Sequence, residues 1–429
     1  MARKRNWIRM ENASKYEALT VETLASRLGG IATILNRLGG DASDWKVNEV
    51  GDGNLNLVFI VSGASGAVIV KQALPYVRLV GDSWPLPLYR AFYEHHALKR
   101  QEAYDPGAVP EIYHFDETQA LIVMEHFSPH AILRNKLIAG ERVSGLGRRL
   151  GEFCARTAFR GSELRMASAD KKADVALFAG NVEIPAITEA VVFRDPYFNA
   201  DMNHHTPGLD PVVATLRGDV AMKAEVQHLF RAFSAKAETL CHGDLHSGSA
   251  MCTADDTRVI DPEFAFYGPM GFDIGMLIAN YLMAYFSQPA HRTVSDLDGY
   301  QEWILSVVEE TWTTFKSEFA ALWSSERTGM LYDRRIFEDQ GHGADGPLNA
   351  LLAEIWSDAL GYCGIEMHRR TLSIAHNADF ETIEDVAARA RLEARNMMMG
   401  RRLLLERGKI DGAANLLAMA RRFNGEDFT

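Results

Sequence analysis

Hydrophobic and polar positions change period along this chain, and the changes divide it into a strand-rich first part and a helix-rich remainder. Val47 to Val50, Leu57 to Val61, Ala67 to Lys71, Ala108 to Tyr113 and Leu121 to Met124 are short apolar runs that predict strands. One helical segment, Leu88 to Gln101, lies among them. Ahead of them, Leu19, Leu24, Leu28 and Ile31 fall at helical spacing before Gly39-Gly40, and this segment, despite its helix-turn-helix look, is expected to pack on the sheet. The strand pattern is lost at Glu125-His126-Phe127-Ser128-Pro129, which marks a lobe boundary and gives lobes of 1–125 and 126–429. Thr206 to Lys236, the region from Asp298 onward and the C-terminal helix Ile383 to Arg407 carry apolar repeats of three and four, while Asp333 to Gly346 reads as a mobile loop. The expected class is α+β, with a small, mostly antiparallel β lobe and a larger helical lobe.

Chemistry concentrates in residues 242–273. Asp244 sits in a His242-Gly243-Asp244-Leu245-His246 turn after a helical run ending near Leu240, and a β-hairpin leads from it to Asp261-Pro262-Glu263. Phosphoryl transfer needs one carboxylate to take the acceptor's hydroxyl proton and another to hold Mg²⁺ on the nucleotide phosphates. Asp244 is the candidate base. Asp261 and Glu263 lie on the same side of an extended segment and supply the hard oxygens that Mg²⁺ prefers. Ser249 stands five residues after Asp244, where most kinases place an Asn that binds a second metal ion. Asp273, opening an apolar helix, is expected to tie down the catalytic loop through backbone amides.

The first part supplies the other half of a bilobal, protein-kinase-like fold. A strand, the turn Gly51-Asp52-Gly53-Asn54-Leu55-Asn56 and a second strand form a hairpin suited to covering ATP phosphates, and no Gly-Lys-Ser/Thr opens a helix as in a Walker loop. Lys71 ends the apolar run Ala67-Val68-Ile69-Val70, as does the phosphate-contacting Lys of the Val-Ala-Ile-Lys pattern. Its expected carboxylate partner is Glu94, with Glu49, Asp52 and Asp82 as competitors. Adenine is expected against backbone groups of Glu125, His126 and Phe127, with Met124 behind the ring.

These motifs resemble the methylthioribose kinase family, a branch of the fold shared by protein kinases, choline kinase and aminoglycoside phosphotransferases. The resemblance rests on Gly51 to Asn56, Val70 to Arg78 with Ser83-Trp84-Pro85-Leu86, His242 to His246 with Gly248-Ser249, and Asp261-Pro262-Glu263-Phe264 through Gly275. It implies ATP-dependent phosphorylation of 5-methylthioribose at the anomeric 1-hydroxyl, in methionine salvage. It also implies that Arg369-Arg370 reach the sugar, that the loop around Trp84 closes over it, and that the protein is a homodimer. Arginine's fork of donors suits ribose hydroxyls and a charged phosphoryl group.

Composition narrows the alternatives. A net charge of −12 argues against nucleic-acid and anionic-membrane partners, and so against a DNA-binding role for the first helices. The longest apolar run, Ile274 to Phe286, is too short to span a bilayer. Four dispersed cysteines, Cys154, Cys241, Cys252 and Cys363, suggest buried thiols in a reducing cytoplasm. An aminoglycoside or choline kinase would not need Arg369-Arg370, and a pseudokinase scaffold should lack the base or the metal ligands.

Overall fold

A computed structural model describes residues 16–51, 55–77 and 81–428, so Asp52, Gly53, Asn54 and Arg78 lie outside the described residues. Packing divides the chain into a unit of Met1–Pro129 with Val259–Glu263 and a unit of His130–Arg258 with Phe264–Thr429. The stretch expected to bind metal therefore packs with the first unit, although chain order puts it in the second lobe. Asp261 and Glu263 bond to residues of the first unit, and Val259 N–H donates to Ala108 O at 2.8 Å.

The first unit is built on a five-stranded antiparallel sheet. Its strands are β1 (Lys46–Glu49), β2 (Asn56–Ser62) and β3 (Ala67–Ala73), followed, after the β4 (Tyr76–Val77) and β5 (Gly81–Pro85) hairpin, by β6 (Ile112–Asp116) and β7 (Leu121–Glu125), in spatial order β1-β2-β3-β7-β6. The run from Ala108 yields a strand only from Ile112. Alternation sends Phe59, Val61, Val68, Val70, Leu121 and Val123 to one face, where Leu24, Leu28, Ile34 and Leu38 of helices Val21–Gly29 and Ala32–Leu38 cover them. Gln72 fixes that cover: its side-chain carbonyl accepts from Leu19 N–H at 2.8 Å and its amide donates to Glu17 O at 3.0 Å. The same alternation gives Asn56, Lys71 and Met124 to the opposite face, and helix Arg90–Tyr104 packs against β3, β6 and β7.

The second unit is mostly helical. Residues 272–288 of helix Phe272–His291 are almost all buried, because helices Val294–Glu326, Asp345–Leu372 and Val386–Glu406 pack around it. The expected catalytic turn follows a strand, Thr239–Cys241, rather than a helix; the preceding helix ends at Ala235 and Lys236 caps it. That strand pairs with Phe266–Gly268, and Ala250–Cys252 pairs with Ala131–Ile132. Part of the segment expected to be a mobile loop, 333–346, folds into 3-10 turns over 334–336 and 338–340. All four cysteines are free and buried. Among the described residues no single helix is long and apolar enough to cross a membrane.

Helices Asp345–Leu372 and Val386–Glu406 cross where each has a glycine: a Cβ on Gly364 would lie 2.5 Å from Gly400 O, and one on Gly400 would lie 2.9 Å from Gly364 O. Beside them, His368 donates from Nε2 to Met397 O at 2.9 Å, and burial holds its imidazole down at about 4. Gly364→Ala is expected to cost about 1–3 kcal/mol in urea denaturation, because backbone must move to admit the methyl group. Between pH 6.5 and about 4 the unfolded chain binds a proton at His368 that the folded chain refuses. Stability from this group is therefore full above pH 6.5 and lost on acidification, by at most about 1.4 kcal/mol per pH unit. His368→Gln should flatten the pH dependence of the urea midpoint over that window.

Candidate active site

In the first unit, Lys71 is buried between two carboxylates. Its Nζ donates to Glu94 Oε1 at 2.8 Å and forms a second, shorter ion pair with Asp261. Strand β3 delivers the lysine and helix Arg90–Tyr104 delivers the glutamate one turn in, which follows from the alternation of the strand and the packing of the helix on that face. Burial opposes a charged lysine, but Asp261, Glu94 and Glu263 outweigh it and raise the ammonium well above its ordinary range. Burial pushes Glu94 up, against the pull of Lys71. We assign the pair as charged, because Lys71 faces both carboxylates at contact distance.

Arg90 belongs to the same cluster and carries no motif in the sequence. Its guanidinium lies 3.7 Å from Glu263 Oε2 and donates to Leu55 O, Leu74 O and Asn56 Oδ1. Asn56, expected in the phosphate loop, instead uses its side chain to join Arg90 to Glu263, donating to Glu263 Oε2 at 2.9 Å. Glu94, Asp261 and Glu263 bring carboxylate oxygens within 4.8 Å of one another. Three carboxylates against Lys71 and Arg90 leave an excess of one negative charge. Asp261 has φ of 69°, a left-handed conformation uncommon outside glycine, and its side chain is 44% exposed. Such a hard-oxygen set with surplus negative charge fits a Mg²⁺ ion.

Other expected nucleotide residues fall in this unit. Gly51 lies in the turn after β1; Trp84, expected for the sugar in a closing loop, lies instead in strand β5, partly buried. Met124 and Phe127 are buried, and burial lowers His126. The Glu125 N–H already donates to Glu111 O at 2.9 Å, so it serves the sheet and is not open to an adenine ring.

The second unit holds Asp244. Gly243, at φ of 89°, turns the loop, and the Asp273 carboxylate accepts from His242 N–H at 2.6 Å and Gly243 N–H at 3.0 Å. Burial raises Asp273, and these amides together with His242 pull the other way. Asp244 Oδ1 accepts from Arg370 Nη2 at 3.1 Å with Arg369 Nη2 at 4.0 Å, and its Oδ2 lies 3.2 Å from His246 Nε2. Burial alone would raise Asp244, but His246, Arg370 and Arg369 hold it well below the usual carboxylate range. Ser249, expected as a metal ligand, donates its hydroxyl hydrogen to Asp244 O at 2.8 Å and so braces the loop that carries Asp244.

Both arginines sit in the last turn of helix Asp345–Leu372 and are oriented by Glu366 on the same helix: Arg370 Nε donates to Glu366 Oε1 at 2.5 Å, and Arg369 Nε lies 3.5 Å from Oε2. Arg134 completes the cluster, 3.7 Å from Asp379 and 3.1 Å from His246 Nδ1. Arg134, Arg369 and Arg370 thus balance Asp244, Glu366 and Asp379, three charges against three. Of the residues missed in the sequence, His246 stood in the His242–His246 motif and Glu366 one turn ahead of the twin arginines; Arg90, Arg134 and Asp379 carried no local signal.

Removing Lys71 tests the charge balance of the first unit. Lys71→Met is expected to lower stability by about 3 kcal/mol, the lower end for breaking a buried pair, because Asp261 is partly solvated. Combining it with Glu94→Gln should return part of that loss in urea denaturation, since the neutral amide no longer needs the ammonium.

Residues 46–303 match the model described as the phosphotransferase enzyme family. Over 95% of this chain and 96% of the relative, the sequence is 39% identical to methylthioribose kinase 1 of Oryza sativa subsp. japonica. It is 41% identical to methylthioribose kinase of Escherichia coli over 91% of this chain and 94% of that one, and 40% identical to the Geobacillus thermodenitrificans enzyme over 93% and 96%. Among solved structures, a choline/ethanolamine kinase family protein from Mesorhizobium loti aligns over 94% of this chain and 99% of its own, at 14% identity and a TM-score of 0.41. With identity of this extent across nearly the whole chain, the protein belongs to the methylthioribose kinase family within the phosphotransferase enzymes.

Proposed function

We propose that the chain transfers the γ-phosphoryl group of ATP to the anomeric 1-hydroxyl of 5-methylthioribose, giving 5-methylthioribose 1-phosphate in methionine salvage. The observation that supports this reading is the convergence of Arg369 and Arg370 on Asp244 in a chain of this family. A kinase needs a carboxylate facing the acceptor hydroxyl, and two arginines beside it suit a neutral, polyhydroxylated sugar better than a cationic acceptor.

The depressed Asp244 is a weak base at the outset, so its first task is to orient the hydroxyl. The transition state of phosphoryl transfer is loose, with little bonding to the nucleophile while the leaving bond breaks. The hydroxyl becomes strongly acidic only as its oxygen bonds to phosphorus, and Asp244 takes the proton then. Arg369 and Arg370 present donors to the charge spread over the transferring group, and Glu366 keeps those donors in place. Lys71 would hold the nucleotide phosphates. Asp261 and Glu263 would hold Mg²⁺, which when bound neutralises phosphate charge. This reading divides the chain into 1–125, with the phosphate loop and the strand bearing Lys71, and 126–429, with the catalytic loop of Asp244, the metal loop of Asp261 and Glu263, and Arg369-Arg370 for the sugar. A homodimeric, cytoplasmic enzyme completes it.

The test is ADP release with Mg²⁺-ATP and 5-methylthioribose, beside ribose, choline and kanamycin. Turnover is expected with methylthioribose, and Asp244→Asn should lower it by about 10²–10⁴-fold. Turnover only with another acceptor would keep the kinase and discard this substrate.

A further inference from the structure

His246 makes three polar contacts that together determine its protonation state. Its Nδ1 is met by Gly248 N–H at 2.8 Å and by Arg134 Nη2 at 3.1 Å. Both are donors, and an arginine in a protein does not give up its proton. Nδ1 must therefore be the acceptor nitrogen, and the ring's one hydrogen is on Nε2, 3.2 Å from Asp244 Oδ2. We propose that His246 is a positioning residue for phosphoryl transfer: Arg134 and the Gly248 amide fix its tautomer, and the neutral ring holds the Asp244 carboxylate by its Nε2–H. The inference rests on the kinase reading of Asp244.

Three features support the assignment. Arg134 is itself anchored, with Nε donating to Ser247 Oγ at 3.1 Å and Nη2 to Asn280 Oδ1 at 3.3 Å, so it stays turned to the imidazole. The ring lies directly against the loop: a Cβ on Gly248 would sit 2.5 Å from His246 Cε1 and 2.8 Å from Nδ1. Burial, Arg370 and Arg134 all oppose charging the ring, against the pull of Asp244, and its affinity for a proton falls to about 4.

The consequence is specific to the base. With Arg370 on Oδ1 and His246 on Oδ2, each carboxylate oxygen has one donor, which fixes the plane of the group. A remaining lone pair is left for the sugar hydroxyl. A neutral donor at Oδ2 does this without adding another positive charge beside a group that must accept a proton.

Two substitutions separate positioning from packing. Glutamine carries its amide nitrogen where Nε2 stands, whereas asparagine reaches only as far as Nδ1. His246→Asn is expected to lower kcat for methylthioribose by about a hundredfold, the scale of a small misplacement of a reacting group, with KM for ATP unchanged. His246→Gln is expected to recover most of that loss, and Gly248→Ala, which displaces the ring, to resemble His246→Asn. Equal activity of the asparagine and glutamine variants would overturn the proposal. A long-range ¹H–¹⁵N spectrum of wild-type protein labelled at histidine decides independently of folding or turnover in any variant: hydrogen on Nε2 with a bare Nδ1 is expected, and hydrogen on Nδ1 at pH 7 overturns it. If wild type does not turn over methylthioribose, the proposed function fails while the spectrum still settles the tautomer.

Discussion

A carboxylate removed from water costs several kcal/mol unless donors replace its hydration, and that constraint shapes the second unit around Asp244. Arg370, Arg369 and His246 supply the donors, but two guanidiniums side by side bring a repulsion of their own. Glu366, one turn back on the same helix, answers it, and Asp379 does the same for Arg134. Charges close to balance three against three, so the half-buried Asp244 stays ionised although side-chain donors replace much of its hydration. Gly243 and Asp273 hold the loop that carries Asp244, and the helix carrying Asp273 is the one the other helices pack around. Positioning of one carboxylate thus depends on the packing of the whole unit.

The first unit meets the same constraint with a different balance. Lys71 and Arg90 face Glu94, Asp261 and Glu263, so one negative charge is left over beside a carboxylate that is partly open to solvent. A self-balanced cluster suits a base that must keep its geometry through turnover. A cluster short of one positive charge suits a place where a cation and a polyphosphate come and go.

Much of this was legible because it is local. The sheet, the helices covering it and the apolar helix after Asp273 follow from period, and β3 puts Lys71 on the face opposite Val68 and Val70 by alternation alone. The Lys71–Glu94 pair follows from that face plus one helix. Arg90, Arg134 and Asp379 were not legible, since each is an ordinary charged residue until the fold brings it to partners far along the chain; Arg134 reaches Ser247 and Asn280 across more than a hundred residues. Asn56 shows a subtler limit. Its place next to a glycine turn suggested a phosphate contact, yet the alternation that buries it sets its amide on Glu263 and Arg90. Periodicity predicts a helix running to about Leu240, whereas Thr239 to Cys241 form a strand, because three buried residues carry no period of their own.

Which sugar oxygen takes the phosphoryl group decides whether Asp244 faces the anomeric hydroxyl. The most direct measurement is ³¹P NMR, with coupling to sugar protons, of the product formed from 5-methylthioribose and Mg²⁺-ATP. Phosphorus coupled to the anomeric proton is the predicted result. Phosphate on another hydroxyl of the sugar, or no phosphorylated sugar at all, would contradict it.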